Sequence, residues 1–166
     1  MPDRLSAADR ALAAHDGFER RDGSFVATAT PFDATVSLED ADQGVRYVLE
    51  LSLPTLDAVV AGETVADVVE AGWFETFERR LEDLDGALRS EPAPPTVELD
   101  ERGQTVAVEA SFVADRPDLG AEDAAALVGY VEGTYVEGVI PGYTYREPVS
   151  GLLERAYERS GAATGG

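Results

Sequence analysis

"FDATVSLEDADQGVRYVLELSL", residues 32–53, decides how this chain folds. Phe32, Ala34, Val36 and Leu38 alternate with Asp33, Thr35 and Ser37. After the polar stretch "EDADQG", read as a turn, Val45, Tyr47, Leu49, Leu51 and Leu53 take up the alternation again. Period-two alternation on both sides of a turn predicts antiparallel strands that bury one face. Upstream, "SFVATAT" (24–30) is β-prone and Pro31 breaks it from the next strand, so the three make a meander that Pro54 ends. Downstream, "TVEL" (96–99) and "TVAVEASFV" (105–113) read as a hairpin joined by "DERG", with Val106, Val108, Ala110 and Phe112 turned inward.

Helical spacing fills the gaps. Leu5, Ala8, Leu12 and Ala13 predict a helix over 4–16, stopped by Gly17. Thr64 reads as an N-cap with Asp67 in capping-box position, opening a helix whose stripe is Val65, Val69, Trp73, Phe77, Leu81, Leu84 and Leu88 and which stops near Gly86. "SEPAPP" (90–95) is a stiff connector. Another helix is expected from about Gly120, and a short one over "PVSGLLERAYERSG" (148–161), with 160–166 fraying. The order α-βββ-α-ββ-α-α predicts one α+β domain over 1–166: a five-stranded antiparallel sheet, a three-strand meander plus a hairpin, packed against helices.

"LVGYVEGTYVEGVIPGYTY" (127–145) carries four glycines. A phosphate-binding loop needs glycine spacings that Gly129, Gly133, Gly138 and Gly142 do not follow, and Glu132 and Glu137 would repel a phosphate. As a helix the stretch is consistent, with Ala124, Val128, Val131, Tyr135 and Val139 in one sector. Gly129 and Gly133 lie beside it and cost about 2 kcal/mol of helix propensity. Close approach of another backbone, within the fold or in a second subunit, would compensate; glycine drift in a GC-rich coding sequence accounts for them equally.

Thirty-three acids face thirteen basic residues, all arginine, for a net charge of −20 spread over the whole length. Such a surface repels phosphate backbones and anionic lipid, so neither nucleic acid nor a membrane is an expected partner. At about 0.1 M salt the screening length is about 10 Å and the charges oppose compaction; at about 1 M it is about 3 Å and the opposition fades. The composition predicts adaptation to concentrated salt, with hydrated cations around the acids. Cysteine is absent and the N-terminus intersperses charge among its small residues, which predicts a cytoplasmic address.

Chemistry is sparse. His15 beside Asp16 has the makings of a general base, but a cation near a helix C-terminus gains from the macrodipole without a substrate. Acid pairs such as Glu39–Asp40, Glu82–Asp83 and Glu122–Asp123 are expected by chance in so acidic a chain and read as solvated charges. No catalytic residue, metal site or cofactor is expected. Gly129, Gly133, Phe74, Tyr143, Tyr145 and Arg146 are the candidate interface residues, small, aromatic and arginine side chains being what protein contacts favour.

"ETVADVVEAGWFETFERRLED" and "YVEGTYVEGVIPGYTYREPV", on an acid-rich, lysine-free background, resemble a family of uncharacterised proteins found in haloarchaea. The resemblance implies a cytoplasm filled with concentrated KCl and no particular catalysis. The element order also looks like that of type III secretion chaperone-like folds, in which a helix-flanked antiparallel sheet dimerises and binds extended partner segments. The expected function is a non-enzymatic, chaperone-like or adaptor-like protein-binding module, acting as a homodimer. The alternative is a small-ligand binder or enzyme with a carboxylate- and tyrosine-lined pocket between sheet and helices.

Overall fold

A computed structural model of the chain describes residues 3–89 and 96–164. The elements are α1 (Asp3–Ala14), β1 (Phe18–Arg21), β2 (Ser24–Ala27), β3 (Asp33–Ala41), β4 (Gly44–Pro54), α2 (Leu56–Val59), β5 (Val60–Ala61), α3 (Asp67–Leu81), a 3-10 turn (Leu84–Ala87), β6 (Thr96–Arg102), β7 (Thr105–Ala114), α4 (Pro117–Gly138), β8 (Thr144–Tyr145) and α5 (Val149–Thr164). β1 to β4, β7 and β6 form a six-stranded sheet in the order β1-β2-β3-β4-β7-β6, every pair antiparallel. β5 and β8 form a separate two-stranded ribbon.

The α+β class and the antiparallel sheet are as expected, but the sheet has six strands rather than five. The additional one is β1, and its partner pairing Arg21↔Ser24 leaves Asp22-Gly23 as a two-residue turn, both at positive φ. An Asp-Gly dipeptide is the residue pair such a turn demands. β1 is an edge strand with only Phe18 buried, so its sequence shows no alternation. β2 stops at Ala27, short of the expected 24–30, whereas others run longer than their apolar cores: β3 and β4 meet at Ala41↔Gly44, and β6 continues through Asp100, Glu101 and Arg102 to a turn at Gly103-Gln104.

The alternating apolar rows are the inner face. Ala34 and Val36 of β3, the odd-numbered residues Val45 to Leu53 of β4, and Val106 to Phe112 of β7 are buried as predicted. α1 packs on β1, β3 and β4, α4 on β4 and β7, and α3 on α4. The opposite face is largely open to water, as antiparallel sheets allow, with Val113, paired to Arg46, buried on it. In α1, Leu5, Ala8 and Leu12 face the core, whereas Ala13 is exposed.

The start of α3 differs from the capping-box expectation. It begins after Ala66, with no side-chain cap, and Thr64 has no capping role. The capping threonine is Thr55, whose Oγ1 accepts from the Ala58 N–H at 3.2 Å at the head of α2. Glu70 adds to the same end, its carboxylate accepting from the Leu56 and Asp57 N–H groups at 3.2 and 2.9 Å, while Asp57 Oδ1 accepts from Val65 N at 2.7 Å. Burial raises the Glu70 pKa above the usual carboxylate range, against the lowering effect of those two N–H donors. The buried stripe itself is as expected for Trp73, Phe77 and Leu81, with Leu84 buried in the 3-10 turn.

α4 starts at Pro117, the first helical position where a missing N–H costs nothing, rather than near Gly120. Gly120 is instead a contact: a Cβ there would lie 2.1 Å from the Tyr47 hydroxyl. α5 spans Val149–Thr164; the connector 90–95 and residues 165–166 lie outside the described residues.

Candidate functional site

The solvent face of the sheet is built by register. Directly opposed residues share a face, so Thr35↔Glu50, Glu50↔Glu109 and Glu109↔Glu98 make one continuous row across β3, β4, β7 and β6. Three glutamates in line are like charges held opposite one another by backbone pairing, an arrangement that opposes folding unless something screens or neutralises it. The next row is Asp33–Ser52–Ala107–Asp100. Glu50, Glu98 and Glu109 are exposed.

These rows line an open depression of about 950 Å³ that also takes in Val97 and Leu99 of β6 and Glu78 and Glu82 of α3. Consecutive residues of β6 therefore contribute, so the depression reaches both faces of that strand and the edge between them. Its lining holds seven carboxylates and one guanidinium, that of Arg102, which already donates to Asp100 Oδ2 at 2.6 Å. Among the described residues, no tyrosine lines it.

β6 is also the end of the sheet. Its seven residues pair with β7 on one side and, among the described residues, with no strand on the other. An antiparallel edge leaves alternate N–H and C=O groups facing outward, a ready template for another strand. Val97 and Leu99 are half-buried beneath it on the inner face.

The residues singled out from sequence lie elsewhere. Gly129 and Gly133 sit on the exposed side of α4, and an added Cβ at either would meet nothing within 4 Å. Among the described residues, the close backbone approach offered there as one reading is therefore absent, and Gly129 only borders a small crevice shared with Gly17, Phe18 and Ala27. Tyr143 and Tyr145 meet edge to face at 6.4 Å, and the Tyr145 hydroxyl donates to Ile140 O and accepts from Ile140 N. That tyrosine closes the loop between α4 and β8. Phe74 is half-buried against the core, and Arg146 is exposed, its N–H bonded to Val59 O. His15 lies outside the depression; its Nδ1 accepts from the Gly17 N–H at 3.0 Å and its ring tilts against Phe18, so it shapes the turn after α1.

Asp123, read as a solvated charge, has structural work instead. Asp123 is buried and accepts from the Arg89 N–H at 2.9 Å, whereas its neighbour Glu122 is exposed. Glu70 caps α2 as described above. The β6 edge itself escaped the sequence reading, because apolar alternation stops at Leu99 and the charged end of the strand resembles a loop. The glutamate row was readable only once the register was known.

Among the described residues, no group of three or more histidines or acids is placed to hold a metal ion, and no helix is long and apolar enough to cross a membrane. A protein-family model described as a family of unknown function (DUF5813) matches residues 13–155. No curated protein and no solved structure matches the chain.

Proposed function

We propose a role for this chain, which belongs to the DUF5813 family: it is a non-enzymatic, chaperone-like or adaptor-like protein-binding module of a salt-rich cytoplasm, taking an extended partner segment along the open edge of β6. The observation that carries the reading is that edge, seven residues long and bordered by the depression. Adding a strand satisfies the outward backbone groups, while side-chain alternation supplies selectivity. Glu98, Asp100, Glu101 and Arg102 along the edge act against indiscriminate pairing. A small-ligand site is less well supported, since the depression is broad and open and no tyrosine among the described residues lines it.

Amide hydrogen exchange tests the docking. Peptides selected from a random extended library at molar KCl are expected to slow exchange over residues 96–102. Selected peptides that protect another surface and leave β6 unchanged would sink the reading.

Salt adaptation has its own measurement. Lowering KCl from about 1 M to about 0.1 M lengthens the screening distance from about 3 to about 10 Å, and with a net charge of −20 the melting temperature is expected to fall. A melting temperature unchanged across that range removes the salt argument while leaving the docking edge untouched.

A further inference from the structure

We propose, resting on the docking reading above, that the segment taken at β6 is cationic, with arginine or lysine at alternate positions and apolar residues between them. Register leads to this pattern. A strand added beyond β6 would place side chains opposite Glu98 and Asp100 on the outer face, extending the row Glu50–Glu109–Glu98 by one position. Cross-strand neighbours stand about 4.5–5.5 Å apart at Cβ, within reach of a long basic side chain and its charge-assisted hydrogen bonds. The intervening residue would fall opposite Leu99 on the inner face and cover the half-buried Val97 and Leu99. A basic residue opposite Glu98 also relieves that end of the like-charge row, since the lining's single guanidinium is hydrogen-bonded to Asp100 and its field reaches the row at Glu50.

In one register the charges argue against a second copy of this chain as occupant, whereas centring on Asp100 would set Glu98 against Arg102 twice and Asp100 against itself. Antiparallel self-pairing centred on Leu99 would set Glu98 against Asp100 of the other copy twice over, like charge against like. A cationic segment meets those positions with complementary charge instead.

The test uses the full chain at about 1 M KCl, where the screening length of about 3 Å leaves only charges in contact effective. Three short labelled peptides are titrated by fluorescence anisotropy: alternating Arg–Val, Ser–Val and Glu–Val. The Arg–Val peptide is expected to bind at least about ten-fold more tightly than the Ser–Val peptide and to protect the amides of 96–102 from exchange. The double variant Glu98→Gln/Asp100→Asn, which removes both charges facing the added strand, is expected to lose about that ten-fold preference while melting close to the parent, because the exposed Arg102–Asp100 pair it breaks contributes little. Such a variant separates lost recognition from lost folding. If all three peptides protect β6 equally, the charge assignment is wrong and the docking edge stands. If none protects it, both fail. If light scattering finds the chain paired with itself through β6, the cationic partner is overturned in favour of a second copy.

Discussion

Gly44→Ala is expected to lower stability by about 3 kcal/mol or more, the sum of a backbone penalty and a steric one. Gly44 opens β4 with φ +148°, a conformation side chains rarely adopt, and a Cβ there would lie 2.3 Å from Ala114 O and 2.8 Å from its carbonyl carbon. The obstacle is backbone of β7, held in register by Val45↔Ala114, so no rotamer change relieves it. β4 and β7 are neighbours lying between β3 and β6, so displacing either disturbs the pairing on both sides. Gly62→Ala is the control. Its φ is +83° and nothing lies within 4 Å of the added Cβ, so only the left-handed penalty of about 1–2 kcal/mol applies. Urea midpoints at molar KCl compare the two, and equal losses would show that contact with Ala114 contributes nothing.

Tyr135→Ala is expected to cost about 3–5 kcal/mol, the range for emptying a large aromatic from a core. Tyr135 is fully buried on α4 and meets Phe32, Trp73 and Phe77 at 5.0, 5.6 and 5.8 Å between ring centres. It joins α4 to α3 and to the chain entering β3. Its hydroxyl donates to Pro54 O at 2.9 Å, fixing α4 to the end of β4. Tyr135→Phe keeps the ring and removes that bond, so it should lose only about 1–2 kcal/mol. A phenylalanine variant as unstable as the alanine one would mean that the hydroxyl, rather than ring packing, dominates.

Burial raises the Tyr135 pKa above that of an ordinary phenol, and Tyr47 is pushed up to about 12 by burial first and then by Asp123 and Asp118. With folded values above the unfolded one of about 10, the stability each provides is complete below that pH and declines as pH rises beyond it. Tyr135→Phe should therefore reduce the alkaline decline, leaving the part due to Tyr47.

Several of these results turn on what the residue pattern conveys and what it hides. Alternation across 32–53 and 105–113 names the inner rows of β3, β4 and β7 before any coordinates, because burying one face of a pleated strand forces apolar residues to every second position. The stripe from Trp73 to Leu81 is equally plain, since a helix repeats every 3.6 residues. Both are local periodicities imposed by the core. Edge strands escape this logic. β1 and the charged end of β6 bury little, so water leaves their composition unconstrained, and the Asp22-Gly23 turn was the one available signal for β1.

By itself the sequence determined the antiparallel α+β class, the buried rows and the acidic surface, because solvent and core act on each residue according to its own chemistry. Which acids face one another was decided only by tertiary structure. Glu50, Glu98 and Glu109 are distant in the chain and are set in line by strand register, just as Gly44 meets Ala114 and Gly120 meets Tyr47 only where separate elements close upon each other. The open edge of β6 belongs to the same class, since an edge exists only when a sheet has been assembled and one strand is left at its end.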